Sequence, residues 1–532
     1  MRLFAVIAMV LGVAAARAER ILLVPLDSRP AAGQFAQMIS HIAGQDLRMP
    51  PYETLGRFTN PGDPDAILRW IATQDLSDVD TIIVSADMIC YGGLVASRVN
   101  NTPAEVAVQR LRTLADIRRR SPKTKLYVFS STMRLAPTAT RAAGPWRMKL
   151  AQFEELQDRV QRLRIDRLKP ELEALRPQIP PGEIARYEAT RVRNHSVQRE
   201  MVRMAAARQI DYLVIGQDDA KPYGPHVPES EALRAEVRRS GADSRVYFCE
   251  GIDQHASVLV SRALLQQAGW RPRVRVVYSD PAGKYKFASY ESKPIEQSLR
   301  DQLVASGARL ADPNGEYDYS LYVNTPKRRE APFKNWLAEL TAELDQGMPV
   351  AVADINLAND GTADSDLFDT LADQTRVMKL LAFAGWNTAG NTMGTAIPAA
   401  NVYLLAKKLN VSPLMREVSQ REFLLHRFVD DYAFHKYTRP VAYSMILSPN
   451  HDEVYGIDFS DLTDFVQRDV EKHVDRLFQN GFMNQRFYVG NEPYVFTGVR
   501  DVKVWLPWPR AYEMRLELHL EAKPEVAAGP GG

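Results

Sequence analysis

The sequence predicts an α/β protein built on a (β/α)8 TIM-like barrel, with a small inserted α/β unit and a C-terminal helical plus β appendage. Three observations point there. Short apolar, β-rich runs recur through the first 400 residues, helical patterns separate most of them, and polar side chains gather just past their C-terminal ends. Strands that alternate with helices pair in parallel. Polar groups at the same end of many parallel strands converge on one rim. Two doubly wound α/β domains meeting at a cleft fit the same alternation, and strand counting leaves that alternative open.

The first 18 residues carry a basic start at Arg2, an apolar run over 3–15 and an Ala16-Arg17-Ala18 close, the pattern of a cleavable export signal. The run is short for a membrane span. The expectation is a mature chain that starts near Glu19, in a periplasmic or secreted location, with no membrane span.

The strands follow in order. The run over 20–27 ends in Asp27 and is followed by Arg29. The run over 81–85 ends near Asp87 and leads through Tyr91 and a Gly-Gly pair to Arg98. A third strand, 126–129, runs toward Arg134. A long helical stretch over 145–175 reads as a paired-helix excursion. The helix over 190–208, which carries Arg193 and Asn194, leads into the fourth strand, 212–215, closed by Asp218 and Asp219. Further strands are expected over 245–248 (then Asp253), 274–278, 319–323, 350–353 (then Asp354, Asn359 and Asp360) and 380–383 (then Trp386, Asn387 and Asn391). Nine strands are one more than a closed barrel needs. Treating about 270–312 as an insert leaves eight within 19–400. Helices dominate from 401, antiparallel strands close the region by 520, and 521–532 reads as a disordered tail.

Composition excludes several classes of function. A net charge of +2, with 45% apolar and 25% charged residues, is that of an ordinary globular protein. It gives no case for nucleic acid, which needs a concentrated basic face. Cys90 and Cys249 are too few for a cysteine zinc site and define no disulfide framework. The nine histidines show no ligand spacing, so neither a metal nor a cofactor is expected.

An isolated Asp-Asp is more often a turn or a cap than a catalyst. The repetition of carboxylate, arginine and amide side chains at strand ends weighs against that reading, because caps do not require arginine. Asp27, Asp87, Asp253, Asp354 and Asp360, the amides Asn194, Asn359, Asn387 and Asn391, and the aromatic Tyr91 and Trp386 are candidates for binding sugar. Rings stack on aromatic faces and hydroxyls pair with short amides. Arg29, Arg98, Arg134 and Arg193 suit a planar anion such as a carboxylate or phosphate. Adjacent like charges push pKa values apart, as glycoside cleavage requires of an acid and its partner.

The motifs PLDSRP (25–30), YGGLVASR (91–98), GQDDAKPYG (216–224) and AGWNTAGNTMGT (384–395) resemble a bacterial family known as domain of unknown function 4127, over nearly the whole mature chain. That resemblance implies no activity. A second, local one does. Asp218-Asp219 and the stretch DINLAND (354–360) resemble the active site of family-84 glycoside hydrolases, the O-GlcNAcase-like hexosaminidases. It implies that Asp218 orients a substrate 2-acetamido group and that Asp219 is the general acid and then the base. It also implies that Asp360 and Asn359 bind ring hydroxyls. That family's glycine-aromatic first-strand motif is replaced here by PLDSRP. The expected function is an exported glycosidase acting on an N-acetylhexosamine-containing or acidic glycan by a substrate-assisted retaining route. The alternatives are a non-catalytic periplasmic glycan-binding protein and a metal-dependent hydrolase using Asp27, Asp87, Asp218 and Asp219.

Overall fold

The computed structural model describes residues 20–358, 360–447 and 453–525. The expected export signal, Asn359 and the tail beyond 525 lie outside the described residues. The protein is α/β, with its parallel strands in two open sheets rather than one barrel. The first sheet has the order β2-β1-β3-β4-β5-β6, formed by Asp46–Arg48, Arg20–Val24, Thr81–Ser85, Lys125–Thr132, Tyr212–Gln217 and Val246–Glu250 respectively. All of its pairings are parallel. The second sheet has the order β11-β10-β9-β7-β8, formed by Ala382–Ala384, Val350–Asp354, Tyr319–Asn324, Arg273–Tyr278 and Arg309–Leu310, again all parallel.

Read from its β8 edge, the second sheet repeats the order of the first: a second strand, a first, then a third, fourth and fifth. Each sheet therefore has a point where the chain reverses its direction of travel, between β1 and β3 and between β7 and β9. Doubly wound folds open a crevice beside such points.

Two short edge strands explain why the barrel expectation fails. β2 is Asp-Leu-Arg and β8 is Arg-Leu, so neither shows the apolar run that marks a strand. Both are sheet edges, where short polar strands are common. With them counted, the segment over 270–312 is no insert. It supplies β7, which pairs with both β8 and β9, and the edge strand β8. The chain leaves β6 through the helix His255–Gln267, which packs between the sheets, so β6 never meets β7.

Alternation along the strands sorts their side chains into two cores. Leu22, Val24, Ile82, Val84 and Val128 face an outer layer that includes the helices Ala104–Arg112 and Glu183–Ala206. Ile21, Leu23, Ile83, Phe129 and Val214 face inward, in one continuous core with Leu321, Val323, Ala351 and Ala353 of the second sheet. The helices Gln34–Ile42, His255–Gln267, Ile295–Ala305 and Ala389–Lys408 fill the space between. Ala389–Lys408 is buried on nearly every side, the expected condition of a helix without a polar face.

The far side of the second sheet meets the C-terminal region. There the helix Phe459–Gly481 buries Leu462, Val466, Val470, Val474 and Phe478 in a single stripe. An antiparallel sheet closes the chain, with β12 (Arg486–Val489), β13 (Glu492–Trp505) and β14 (Arg515–Pro524). Cys90 and Cys249 are both buried and unpaired. Among the described residues no helix is long and apolar enough to cross a membrane.

Candidate functional site

A cavity of about 630 Å³ opens where the C-terminal ends of both sheets meet the β13–β14 connection. Arg29, Arg98, Arg134, Asp218, Asp219 and Asp253 reach it from the first sheet, Asp360 and Asn387 from the second, and Trp508, Arg510 and Tyr512 from the C-terminal connection.

Each side chain is held there for a local reason. Asp218 follows β5, with its N–H donated to the Thr132 carbonyl (3.1 Å) at the end of β4. Arg98 follows two glycines at φ +94° and +115°. A Cβ at Gly92 would lie 2.8 Å from the Gly62 carbonyl, so only glycine makes this turn. Arg193 and Asn194, expected in the site, instead brace the turn from behind. Arg193 donates to the carbonyls of Ser97 (2.7 Å) and Val99 (2.7 Å), and Asn194 to that of Ser97 (2.9 Å). Asn387 sits at φ +52° and Tyr290 at φ +65° beside the cavity. Side chains other than glycine in that region are characteristic of functional turns.

The two carboxylates of the Asp pair differ in access and in charge. Asp218 is nearly enclosed, its side chain 5% exposed, whereas that of Asp219 is 25% exposed. Arg98 donates to Oδ2 of Asp218 from Nε (3.0 Å) and Nη2 (2.6 Å), and the Asp219 N–H donates to Oδ1 (2.9 Å). Arg134 pairs with Asp219. Burial raises both groups. At Asp218 the guanidinium groups of Arg98 and Arg134 outweigh it and hold the carboxyl below the usual range. At Asp219 burial wins: Arg134 pulls down, the Asp218 charge pushes up, and the net shift is upward. Neighbouring acids are thus split into an ionised member and one that keeps its proton longer.

A second polar chain crosses the cavity floor. Arg29 grips Asp27 through Nε and Nη2 (2.7 Å at the shortest) and Asp253 through Nη1 (3.1 Å) and Nη2 (2.6 Å). Asp253 accepts from Nδ2 of Asn387 (3.3 Å), and Oδ1 of Asn387 accepts from the Tyr512 hydroxyl (2.8 Å). The chain therefore links the first sheet, the second sheet and the C-terminal connection.

Other expected residues lie elsewhere. Trp386 is no sugar platform: it is buried edge-on against Phe35 at 5.6 Å, its indole N–H donated to Thr395 (3.2 Å). Asp87 is buried and accepts from the Ser131 N–H (2.8 Å) and hydroxyl (3.1 Å). Burial raises it to about 7. Asp354 is enclosed with Asn324 and Asp364. Asn391 lies in the first turn of Ala389–Lys408, its N–H on Thr388. Tyr91 lies under Arg193, 4.2 Å from its guanidinium carbon, and lines an adjacent cavity. Asp27, Asp87, Asp218 and Asp219 thus hold separate partners instead of sharing one centre. Among the described residues no group of three or more His, Cys, Asp or Glu could hold a metal ion.

The exposed rings around the cavity are Phe287 and Tyr290, 46% and 49% exposed. Neither stands out in the strand pattern. The aromatic richness of 284–292 was the available signal, as the Trp-Leu-Pro-Trp-Pro run over 505–509 was for Trp508 and Tyr512.

The model of one protein family, described as Protein of unknown function (DUF4127), matches residues 21–517. The chain belongs to that family. The match runs through both sheets and the C-terminal connection, so the family's span contains every wall of the cavity. No curated protein matches the chain.

Proposed function

We propose that the protein is a glycoside hydrolase acting on an N-acetylhexosamine-containing or acidic glycan. The observation that carries this reading is the split Asp pair, which shares one cavity with Asp360, Asn387 and two exposed aromatic rings. Asp219, the accessible and later-ionising acid, protonates the glycosidic oxygen as the C–O bond breaks. The oxygen of the substrate's own acetamido group forms the new bond at the anomeric carbon. Asp218, ionised and fixed by Arg98, accepts the acetamido N–H and stabilises the positive charge that develops there. Asp219, now a carboxylate, takes a proton from the water that opens the cyclic intermediate. Two inversions give net retention. Arg134, which lines the cavity beside Asp219, supports an acidic group on the substrate.

Activity should be bell-shaped in pH. Its acid limb lies below the ordinary aspartate value, from Asp218, and its basic limb above it, from Asp219. Turnover of aryl N-acetylhexosaminides and of muropeptides by Asp219→Asn should fall about 10²–10⁴-fold. Full retention would overturn the proposal. The residues expected as an export signal extend the reading to an enzyme working outside the cytoplasm, which cell fractionation would check.

One observation favours a second reading, a non-catalytic glycan-binding protein: both Asp carboxylates are already paired with arginine. Calorimetry that found tight sugar binding, with no product over days, would select it.

A further inference from the structure

A second cavity, of about 610 Å³, adjoins the first. The two have Val95, Arg98 and Thr138 in common. Arg98 is the partition: it grips Asp218 on one side and donates from Nη1 to the Thr138 hydroxyl (3.2 Å) on the other.

The chemistry of the two cavities differs. The first is lined by several arginines and five carboxylates. Among the described residues the lining of the second has no aspartate, and its one glutamate, Glu183, is paired with Arg186. What remains is neutral. Thr59, Thr102, Thr140, Asn100 and Asn101 supply hydroxyls and amides, and the half-buried Trp146 supplies an aromatic wall. The Trp146 N–H is spent on the Ala142 carbonyl (3.1 Å), so the ring offers a face and not a donor. A long aliphatic chain would leave those hydroxyls and amides without partners. Among the described residues of the lining both guanidinium groups are already paired, Arg98 with Asp218 and Arg186 with Glu183, so an anion finds no unspent charge there. An uncharged saccharide, with an apolar ring face and a periphery of hydroxyls, satisfies both kinds of wall.

We infer that the second cavity is a binding site for uncharged sugar units, continuous with the first across Arg98. This rests on the glycosidase reading for the identity of the chain as a glycan. It adds that the substrate is an oligosaccharide, held with the bond to be cut in the first cavity and neutral units beyond Arg98 in the second.

The test is calorimetric titration of β-1,4-linked N-acetylglucosamine and glucose oligomers, one to five units long, into Asp219→Asn full-length protein, so that hydrolysis does not intervene. Affinity should rise about tenfold or more between the monomer and the longer chains. Trp146→Ala in the same background should remove about tenfold of that gain without changing monomer binding. Asn101→Trp, at an exposed position of the same lining, should do the same by crowding the second cavity while the melting temperature stays near that of the parent. Affinity independent of chain length in both oligomer series, or a gain that both variants retain, would overturn the inference. Turnover by wild-type protein reads the glycosidase proposal separately: chain-length-dependent binding without turnover keeps the second site and removes the enzyme.

Discussion

The two parallel sheets share a strand order and differ in what their C-terminal ends do with charge. At the ends of β9 and β10 the polar groups close on one another. Asn324 donates to Asp354 (2.9 Å) and Asp364 (3.1 Å), Asn356 donates to Asp364 (2.8 Å), and Arg328 pairs with Asp364 (2.7 Å). At the ends of β1, β5 and β6 equally charged groups line open space. A charge-rich strand end is therefore not a site by itself. It becomes a candidate when its groups face a cavity and their partners come from different elements.

That contrast can be broken by substitution, and the largest effect belongs to Arg29. Arg29→Ala strands Asp27 and Asp253 as buried, uncompensated charges, and breaking such a pair costs ~3–5 kcal/mol. Chemical denaturation should show a loss on that scale; a loss under 1 kcal/mol would mean that water already screens the pair. Next, Asp218→Asn and Asp354→Asn compare one strand-end carboxylate from each sheet. The first should lower turnover about 10²–10³-fold through lost charge stabilisation, read per folded molecule because the buried Arg98 also loses its charge partner. The second should leave turnover within a small factor of wild type, and equal effects on turnover would erase the distinction between the sheets.

Asp364→Ala is the stability counterpart within the closed cluster. It leaves Asn356 without its acceptor, Asn324 with Asp354 alone and Arg328 with only the 3.4 Å contact to Asp366, at a cost of ~1–3 kcal/mol, readable in a urea midpoint. The last effect is electrostatic and belongs to Glu291, which lines the first cavity. Burial first, and then the neighbouring Glu250 charge, raise it to about 8 from an ordinary 4.5. The unfolded chain releases that proton at lower pH than the folded one, so the native state binds more protons across this window. Its contribution makes stability fall as pH rises from about 4.5 through about 8. Glu291→Gln should reduce that fall. Melting temperatures at pH 5 and pH 8 check it, and an undiminished gap would assign the proton to another group.

How much of this was legible in the sequence depended on burial. Long strands declared themselves because both of their faces are buried, as at Ile21 to Val24 and Thr81 to Ser85. The two edge strands did not, because edges need no apolar run, and their omission turned two doubly wound sheets into an apparent barrel. Asp218, Asp219, Arg98, Arg134, Asp360 and Asn387 were legible as polar groups after strands, and they do share a cavity. Trp386 was misleading, since an aromatic beside glycines fits a core and a sugar platform equally well. For Tyr512 and Trp508 the aromatic and proline run over 505–509 marked an unusual segment, but not where it docks, because they come to the cavity by a long-range return of the chain that local pattern does not encode.

That return has a bearing on how the protein is made. Both sheets are complete by Ala384, yet the wall carrying Tyr512 and Arg510 leaves the ribosome well after them. Its grip on Asn387 cannot form until β14 docks. A nascent chain stopped at Trp505 would hold both sheets with the cavity open on one side. The pocket therefore closes in a later step than the sheets that carry the Asp pair, because its last wall comes from the β13–β14 connection.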